Sequence, residues 1–323
     1  MQQYHSLEKL DVASSCVTIG VFDGIHLGHR KVIQTMLAKA RAQQNASVVV
    51  TFYPHPALVL GKIDTPENLL DEETKTELIK SMGVDYLITI PFTKEFAAIP
   101  AEDFVKQLLD NLKMCCLITG EDFTLGKNKE GNTTVLDELS HQLNFQFHLI
   151  PEVDDKGNRI SSSLIRNLIR DGEINNANHL LGRYYHFSGG IVNGDHRGRK
   201  FGYPTANLKL NSERLYPKYG VYATFVQVEN QILPAITNIG VRPTFKNKGN
   251  ELTIETYILD FNDSIYEKSM DLYFIDFIRP ERKFSSAELL YKQIEHDILN
   301  AREILAHAKK EKSLFVGSAG IRA

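Results

Sequence analysis

The chain has 323 residues, of which 42% are hydrophobic and 24% are charged, and 37 basic and 40 acidic side chains give a formal charge of −3. This length predicts two domains, and the composition is that of a globular chain rather than a disordered one. The near-neutral charge gives no general reason to expect a nucleic-acid or anionic-membrane partner. Any affinity for phosphate must therefore come from local sites.

Cysteine usage and the first residues of the chain predict a cytoplasmic protein. The three cysteines are Cys16, Cys115 and Cys116, and no C-x-x-C spacing occurs. We therefore expect reduced thiols in apolar strands, not a disulfide framework or a zinc site. The N-terminal segment lacks the apolar core of a secretory signal, and no apolar run approaches the roughly 20 residues of a membrane helix. The sequence does not predict an oligomeric state.

Residues 16 to about 180 alternate between strand-like and helix-like stretches. Continuous apolar runs at 16–22 and 47–53 are typical of buried strands, whereas 29–44 carries apolar residues at helical spacing. Further helices and strands alternate in the same way. This pattern predicts a parallel sheet covered on both faces, that is, a doubly wound α/β domain that binds ligands at the carboxyl ends of its strands.

Helical spacing disappears after about residue 184. Short strand-like pieces separated by Asn, Gly and Pro predict a small antiparallel β-barrel, with a hairpin turn at Glu229–Asn230. We therefore place a first domain at 1–181, a second domain at 182–312 and a flexible tail at 313–323.

Residues 286–309 regain helical spacing. One face of this predicted helix is apolar and should pack on the barrel. That face comprises Leu290, Ile294, Ile298, Ala301 and Leu305.

Gly20–His29 is the first stretch with a clear chemical character. It ends a predicted strand and opens a predicted helix, and its glycines allow the backbone to approach a ligand closely. The N-terminus of a helix attracts anions, and His26 and His29, three residues apart, can point at one ligand. These groups suit a triphosphate. A capping turn with two surface histidines, and a metal site formed with Asp23, stay open as alternatives.

Two other segments of the first half carry weaker signals. Ser161–Ser163 opens a predicted helix, where a run of hydroxyls is an ordinary N-cap. Gly120–Lys127 superficially suggests a P-loop, but five residues separate its glycines and Asn128 follows the lysine where Ser or Thr is needed. Taken alone, neither segment predicts a phosphate site.

Residues 182–208 concentrate glycines and cations. A glycine-rich hairpin followed by a proline turn would explain the glycines, but it leaves the clustering of cations to coincidence. Thr205 and Asn207 alternate with Ala206, so in an extended backbone their side chains face the same side. A hydroxyl and an amide oxygen are hard ligands suited to Mg²⁺.

Together these segments resemble the bifunctional riboflavin kinase/FMN adenylyltransferases, the bacterial FAD synthetase family. Gly20–His29 is similar to the HxGH motif of nucleotidylyltransferases, and three further motifs of the family resemble residues 51–56, 120–126 and 161–166. Pro204–Asn207 resembles the Pro-Thr-Ala-Asn motif of riboflavin kinases, and this similarity covers roughly 182–305. The resemblance implies a Rossmann-like nucleotidylyltransferase domain followed by a kinase barrel with a C-terminal helix.

The resemblance implies two reactions, each with ATP as co-substrate and Mg²⁺ as cofactor. Riboflavin would be phosphorylated to FMN, and FMN would be adenylylated to FAD with release of pyrophosphate. The FMN phosphate is already ionised, so the second reaction needs alignment of two anions and stabilisation of charge rather than a base. The ribityl hydroxyl of riboflavin is a very weak acid, so the kinase reaction benefits from a general base. FMN and FAD would also be product ligands.

The resemblance also implies roles for individual residues. The catalytic residues would be His26, His29, Arg166 and Glu255. Flavin binding is implied for Asp122, Phe123 and Arg279, and Mg²⁺ ligation for Thr205 and Asn207. ATP or phosphate binding is implied for Gly20, Phe22, Asp23, Gly24, Ser161, Ser162, Ser163, Gly189, Gly194, Arg197, Gly198 and Lys200. By pattern alone Glu255 is the polar position of an alternating strand, so its role as the base depends on the resemblance.

The chain departs from the family pattern at several positions. Tyr184 stands where Pro is frequent, Tyr257 where many members have His, and Glu267 where Gly is common. Ser163 replaces Thr, and Leu125 replaces Phe. None of these changes removes a proposed chemical group. Two other hypotheses stay open: an adenylyltransferase with a regulatory flavin-binding barrel, and a non-catalytic flavin sensor.

Overall fold

The computed structural model describes residues 1–155, 157–192, 203–209, 213–243, 250–261, 268–308, 310 and 314–315. The chain forms two compact units, Met1–Ser162 and Ser163–Ala323. Residues 163–181 belong to the second unit in this division, although the sequence places them at the end of the first domain. The domain limits given above stay a prediction.

The first unit alternates strands and helices. Its sheet strands are β1 (Gln2–Tyr4), β2 (Ser15–Ile19), β3 (Ala46–Tyr53), β4 (Tyr86–Pro91), β5 (Met114–Gly120) and β6 (Gln146–Ile150). Its helices are α1 (Leu27–Ala42), α2 (Pro56–Val59), α3 (Glu72–Ser81), α4 (Ala101–Leu112) and α5 (Thr133–Gln142). A short hairpin follows, formed by two strands of two residues each, β7 (Asp154–Asp155) and β8 (Asn158–Arg159).

The six strands β1–β6 form one parallel sheet in the order β1-β4-β3-β2-β5-β6. From β2 the chain moves outward through β3 to β4, and then returns to place β5 on the other side of β2. The topological switch point therefore lies between β2 and β5. Open α/β sheets bind ligands in the crevice at the carboxyl ends of such a strand pair.

The central strands are buried because helices cover both faces of the sheet. Every residue of β2 is buried, and alternate residues such as Val17 and Ile19 contact the cluster that includes Phe104 and Leu108 of α4. The apolar face of α1 packs on β2, β3 and β5. The predicted doubly wound α/β class is confirmed.

The second unit begins with helices and continues as a barrel. The helices are α6 (Ser162–Asp171), whose first residue closes the first unit, and α7 (Ile174–Leu181). The strands are β9 (Tyr185–Val192), β10 (Ala206–Leu208), β11 (Gly220–Val228), β12 (Gln231–Pro243), β13 (Asn250–Ile258) and β14 (Ser269–Pro280). The last helix is α8 (Ala287–His307).

These six strands close into an antiparallel barrel in the order β10-β13-β12-β11-β14-β9, with β9 paired to β10. β11 and β12 form the predicted hairpin, since Val228 pairs with Gln231 across the turn and Glu229 adopts a positive φ of 53°. Inside the barrel, hydroxyl contacts of 2.9 and 3.0 Å link Thr224, Thr237 and Thr256. The predicted barrel with a C-terminal helix is confirmed.

α8 packs on the outside of the barrel, but not along the whole apolar face that the sequence predicts. Ala301 and Leu305 are buried against outward residues of β11 and β12, and Ile294 and Ile298 contact the same cluster. Leu290 is 36% exposed, so the expectation that it packs is wrong. The part of the apolar face that packs on the barrel lies in the C-terminal half of the helix.

Of the region 313–323, predicted to be a flexible tail, the structure describes Leu314 and Phe315. Phe315 is buried and makes edge contacts with the rings of Tyr184, Phe225 and Tyr273, at centroid distances of 5.0–5.6 Å. The backbone N–H of Tyr184 donates a hydrogen bond to the carbonyl of Leu314. Leu314 and Phe315 therefore belong to the apolar cluster between the barrel and α8.

The sequence predicts that the three cysteines are reduced thiols in apolar strands. All three cysteines are free thiols, and Cys16 pairs with Cys116 across β2 and β5. A hydrogen bond from the Cys116 thiol lowers the pKa of Cys16 to about 6, although burial acts in the opposite direction.

Among the described residues, no helix is long and apolar enough to cross a membrane.

Candidate active sites

The loop between β2 and α1 has an uncommon backbone conformation. Phe22, Gly24 and Ile25 have φ angles of 49°, 88° and 38°, in a region that non-glycine residues seldom adopt. The side chains of Phe22 and Ile25 are buried, and the Thr51 hydroxyl donates a 3.1 Å hydrogen bond to the carbonyl of Val21. Burial and this bond hold the strained loop at the carboxyl end of β2, where such strain is typical of functional sites.

His26 and His29 meet at the start of α1. His26 is the N-cap residue, and its Nδ1 accepts a 3.3 Å hydrogen bond from the backbone N–H of His29. The two rings stack at 3.7 Å between centroids, and His29 also contacts the edge of Phe22. Because His26 Nδ1 is an acceptor, its neutral ring carries the proton on Nε2, which leaves Nε2 as a donor. The pair can therefore donate to an anion at the positive end of the helix.

Asp23 joins three segments of the first unit. Its Oδ1 accepts hydrogen bonds from the backbone N–H groups of Leu69 and Leu70, at 2.8 and 3.3 Å. Its backbone carbonyl accepts a 2.8 Å bond from the hydroxyl of Ser162. The Asp23 carboxylate therefore accepts hydrogen bonds from backbone amides of the protein itself. This arrangement fits phosphate binding through the surrounding backbone rather than through the Asp23 side chain.

The serine segment does more than start a helix. The Ser162 hydroxyl holds the loop after β2, which an ordinary N-cap does not explain. Ser161 and Ser163 flank it, and Arg166 lies one turn later on α6, where it is half-buried.

The loop after β5 lies beside the HxGH loop at the switch point, because β2 and β5 are neighbours. Asp122 forms an ion pair with Arg159, which also contacts Glu152 at 2.8 Å. Phe123 is half-buried and packs against the core, and Leu125 is buried. Leu125, which replaces the Phe of the family pattern, thus lies in the interior. Phe123 is the aromatic residue of this loop that lies nearer the surface.

Two of the predicted kinase residues pair across neighbouring strands of the barrel. Asn207 of β10 is the direct cross-strand partner of Glu255 of β13, and paired residues project from the same face. Thr205 precedes β10 and is half-buried. A hydroxyl, an amide oxygen and a neighbouring carboxylate together form an oxygen-rich set that fits Mg²⁺. Within the described parts of the chain, no group of three His, Cys, Asp or Glu side chains forms an alternative metal site.

Arg279 has a clear partner in the second unit. Its guanidinium makes three hydrogen bonds of 2.7–3.0 Å to the carboxylate of Asp297, which is buried on α8. Gln293 donates a further 2.6 Å bond to the same carboxylate. This pair attaches α8 to the end of β14. Flavin binding by Arg279 stays a prediction.

Several predicted residues of the glycine-rich loop lie outside the described residues: Gly194, Arg197, Gly198 and Lys200. Gly189 is described on β9, where an added Cβ would lie 3.2 Å from the carbonyl oxygen of Lys209. A side chain at this position would be tight against the backbone of Lys209, so the close approach of the next strand favours glycine.

One tyrosine pKa near the barrel site is raised. Burial raises the pKa of Tyr203, and the negative charge of Glu295 acts in the same direction, as do Tyr257 and Tyr291. The ring of Tyr203 contacts that of Tyr257 edge-on at 5.4 Å. Tyr257, which stands where many members of the family have His, thus packs against Tyr203 in this chain.

Sequence reasoning missed the groups that position these sites. The amides of Leu69 and Leu70 are 46 and 47 residues from Asp23, and Asp297 is 18 residues from Arg279. No local pattern signals such distant partners. Asn238, which pairs with Glu255 on the side opposite Asn207, could have been found from the alternation of polar residues along β12.

Known proteins resemble this chain over nearly its full length. The "Bifunctional riboflavin kinase/FMN adenylyltransferase" of Bacillus subtilis (strain 168) is 35% identical over 309 residues, which cover 95% of this chain and 97% of that protein. The protein of that name from Listeria monocytogenes is 36% identical over 291 residues, covering 90% and 92%. A crystal structure named as a macrolide-efflux protein from Streptococcus pneumoniae has a TM-score of 0.84 and 30% identity, covering 93% and 98%.

The α/β unit and the barrel define a group-transferring enzyme with two candidate sites on separate folded units. A family model for FAD synthetase matches residues 9–164, and one for riboflavin kinase matches residues 181–305. The chain belongs to the family of bifunctional riboflavin kinase/FMN adenylyltransferases.

Proposed function

We propose that this chain converts riboflavin to FAD in two ATP-dependent steps, with the kinase step on the barrel and the adenylyl transfer on the α/β unit. Family membership and the presence of both domains support both steps. The observation that carries the proposal is that each unit holds its own cluster. These are the stacked His26–His29 pair at the switch point and the Asn207–Glu255 pair on the barrel.

In the adenylyl transfer, the FMN phosphate attacks the α-phosphorus of ATP and pyrophosphate leaves. His26 Nε2 and His29 donate to the phosphate oxygens, and the amides at the start of α1 add a positive field. Arg166 and the hydroxyls of Ser161 and Ser163 bind further phosphate oxygens. Asp23 and Ser162 keep the loop in place through their mutual bond. Asp122 and Phe123 bind the flavin beside this loop.

In the kinase step, Glu255 accepts the proton of the ribityl 5′-hydroxyl as its oxygen attacks the γ-phosphorus of ATP. ADP is the leaving group. The glycines and cations between Gly189 and Lys200 bind the ATP phosphates. Arg279 orders the end of β14, beside which the flavin binds.

Mg²⁺ supplies charge neutralisation between phosphate oxygens when it is bound. The Thr205 hydroxyl and the Asn207 amide oxygen would hold it beside Glu255. We propose riboflavin, FMN and ATP as the substrates, with no nucleic-acid or membrane partner, and we place the enzyme in the cytoplasm.

A product assay tests the proposal. Purified protein is incubated with riboflavin, ATP and MgCl₂, and flavins are separated by chromatography. Formation of FMN followed by FAD supports both steps. FAD made solely from added FMN would favour the adenylyltransferase with a regulatory barrel. No turnover of either flavin would favour the sensor and contradict the proposal.

A further inference from the structure

The three cysteines of the chain come together at one end of the parallel sheet of the first unit. Cys16 is the second residue of β2, and Cys115 and Cys116 are the second and third residues of β5. The HxGH loop follows the carboxyl end of β2, so the thiols lie at the opposite end of these strands. No step of the proposed reactions uses them, and they form a separate group of nucleophilic side chains.

A β-bulge places two of these thiols opposite the third. Ser15 is level with Met114, but the next residue, Cys16, is level with Cys116. β5 therefore contains one residue more than β2 at this point, and the extra residue is Cys115. In a bulge, two residues of one strand oppose a single residue of its partner. Side-chain hydrogen bonds accordingly join Cys16 to both Cys116 and Cys115.

One amide group lies against this thiol cluster. The Nδ2 of Asn45 donates a 3.0 Å hydrogen bond to Sγ of Cys115 and a longer one, of 3.8 Å, to Sγ of Cys16. Asn45 is itself held by Ser14, whose hydroxyl donates a hydrogen bond to the Asn45 Oδ1. An N–H donor fixed beside a sulfur stabilises the thiolate relative to the neutral thiol.

Cys16 is the thiol of the cluster that ionises most readily. The hydrogen bond from Cys116 lowers the pKa of Cys16 to about 6 against the opposing effect of burial, and Asn45, Cys115 and the charge of Lys39 lower it further. The hydrogen bond to Cys16, together with burial, raises the pKa of Cys116. At neutral pH Cys16 is therefore the nucleophile, and Cys116 is a neutral thiol beside it.

The sulfur of Cys16 is buried, but the side chains that cover it belong to the surface. Gln43 is exposed, and its Oε1 lies 3.9 Å from the Cys16 Sγ. Asn45 and Cys115 are half-buried. Surface side chains change rotamer within nanoseconds, so movement of Gln43 opens a path to the sulfur for a small solute without unfolding of the sheet.

We propose that Cys16 and Cys116 form a thiol-modification site, at which a hydroperoxide oxidises the pair to a disulfide. Neighbouring strands lie about 4.8 Å apart, and disulfides form at Cα separations of roughly 4.4–6.8 Å, so directly paired cysteines are within reach of each other. Among the described residues, no three His, Cys, Asp or Glu side chains could hold a metal ion, so we do not infer a metal site here. This inference does not depend on the proposed function.

The oxidation balances in two steps. The Cys16 thiolate attacks one oxygen of the hydroperoxide and the O–O bond breaks, which gives a sulfenic acid and an alkoxide, or hydroxide from hydrogen peroxide. That anion takes up the proton that Cys16 had lost. The Cys116 sulfur then attacks the sulfenic sulfur, the S–S bond forms, and the hydroxyl leaves with the Cys116 proton as water. The two sulfurs lose two electrons, and the peroxide gains them.

The test is peptide mapping of the full-length chain after treatment with hydrogen peroxide at neutral pH. The intact monomer should lose the mass of two hydrogen atoms. Trypsin cleaves after Arg30 and Lys113, so Cys16 lies on a different peptide from the other two cysteines. We expect these two peptides to be joined after oxidation and to be separated by dithiothreitol.

Three alanine variants assign the roles, because alanine keeps a small apolar side chain at each position. Cys16→Ala removes the thiolate, so oxidation of the remaining thiols should slow on the order of 10-fold or more. Cys116→Ala should stop at the sulfenic acid, which dimedone labels on the Cys16 peptide. Cys115→Ala is the matched control and should form the cross-link within a factor of about two of the wild-type rate. Circular dichroism verifies the fold of each variant.

Either of two results would overturn this inference. The first is a folded wild type whose thiols all resist peroxide although the chain unfolded in urea reacts, since folding would then protect Cys16 rather than activate it. This measurement needs no variant. The second is a cross-link that forms at the wild-type rate in Cys116→Ala, because the partner of Cys16 would then be Cys115. Neither result bears on the synthesis of FMN or FAD.

Discussion

At the scale of single residues, the two candidate sites use different chemistry. In the proposed mechanism the His26–His29 pair donates hydrogen bonds to anions, and the bond from the His29 amide to His26 Nδ1 leaves Nε2 as the donating nitrogen of His26. Glu255 lies directly across from an asparagine on each neighbouring strand, and we propose that it accepts a proton in the kinase step. Changes to each residue should therefore affect separate reactions.

The first prediction concerns His29. His29→Ala removes a donor to the transferring phosphate and one ring of the stacked pair, so FMN adenylylation should fall on the order of 100-fold or more. Riboflavin phosphorylation should continue, so FMN should accumulate in a chromatographic time course. His141→Ala, an exposed histidine on α5, is the control and should behave as wild type. Normal FAD formation by His29→Ala would remove His29 from the mechanism.

The second prediction concerns Glu255. Glu255→Gln keeps the size of the side chain but removes its ability to accept a proton, so kinase kcat should fall by about 10²- to 10⁴-fold. Conversion of added FMN to FAD should stay within a factor of about two. An undiminished kinase rate would show that Glu255 is the polar position of an ordinary strand, as its sequence pattern alone indicates.

The candidate residues could be named from sequence because short motifs carry them, but their partners could not. The spacing of His26 and His29 predicted that both rings share the helix tip, and the alternation of Thr205 and Asn207 predicted a shared side. The bonds of Asp23 to the amides of Leu69 and Leu70 depend on tertiary folding. The same is true of the contact between Asn238 and Glu281, which are 43 residues apart.

At the scale of elements, α8 is attached to the barrel by apolar packing and by one buried ion pair. The Arg279–Asp297 pair is largely buried, with side-chain exposures of 17% and 2%. A second pair on the same helix, Arg302–Asp260, is exposed by 46% and 70%. Buried pairs are costly to break because the remaining charge loses its partner, whereas exposed pairs contribute little.

The third prediction compares these two pairs. Asp297→Ala should lower the free energy of unfolding by about 3 kcal/mol, because it leaves the Arg279 guanidinium without its carboxylate. Asp260→Ala should lower it by less than about 1 kcal/mol. Urea denaturation followed by circular dichroism measures both. Equal effects of the two variants would show that the Arg279–Asp297 pair does not anchor α8.

Element types could be predicted from periodicity, but their limits depended on particular contacts. The helix expected at 29–44 begins at Leu27, because the side chain of His26 caps it. Leu290 has the spacing of a core residue, yet the packed surface of the barrel ends before it. Phe315 follows a stretch without periodicity, and its burial comes from three aromatic neighbours that are distant in sequence.

At the scale of the whole molecule, the proposed function requires two folded units that each perform one reaction. Each unit has its own core and its own candidate site. If both sites are independent, FMN released by one molecule can be used by another. Inactivation of one site should therefore be complemented by a molecule that retains it.

The most direct test mixes equal amounts of His29→Ala and Glu255→Gln and supplies riboflavin, ATP and MgCl₂. Neither variant alone should make FAD from riboflavin, and the mixture should make it after a lag during which FMN appears in solution. FAD is separated and measured by chromatography. A mixture that makes no FAD, although each variant keeps its remaining activity, would contradict the claim of two independent sites.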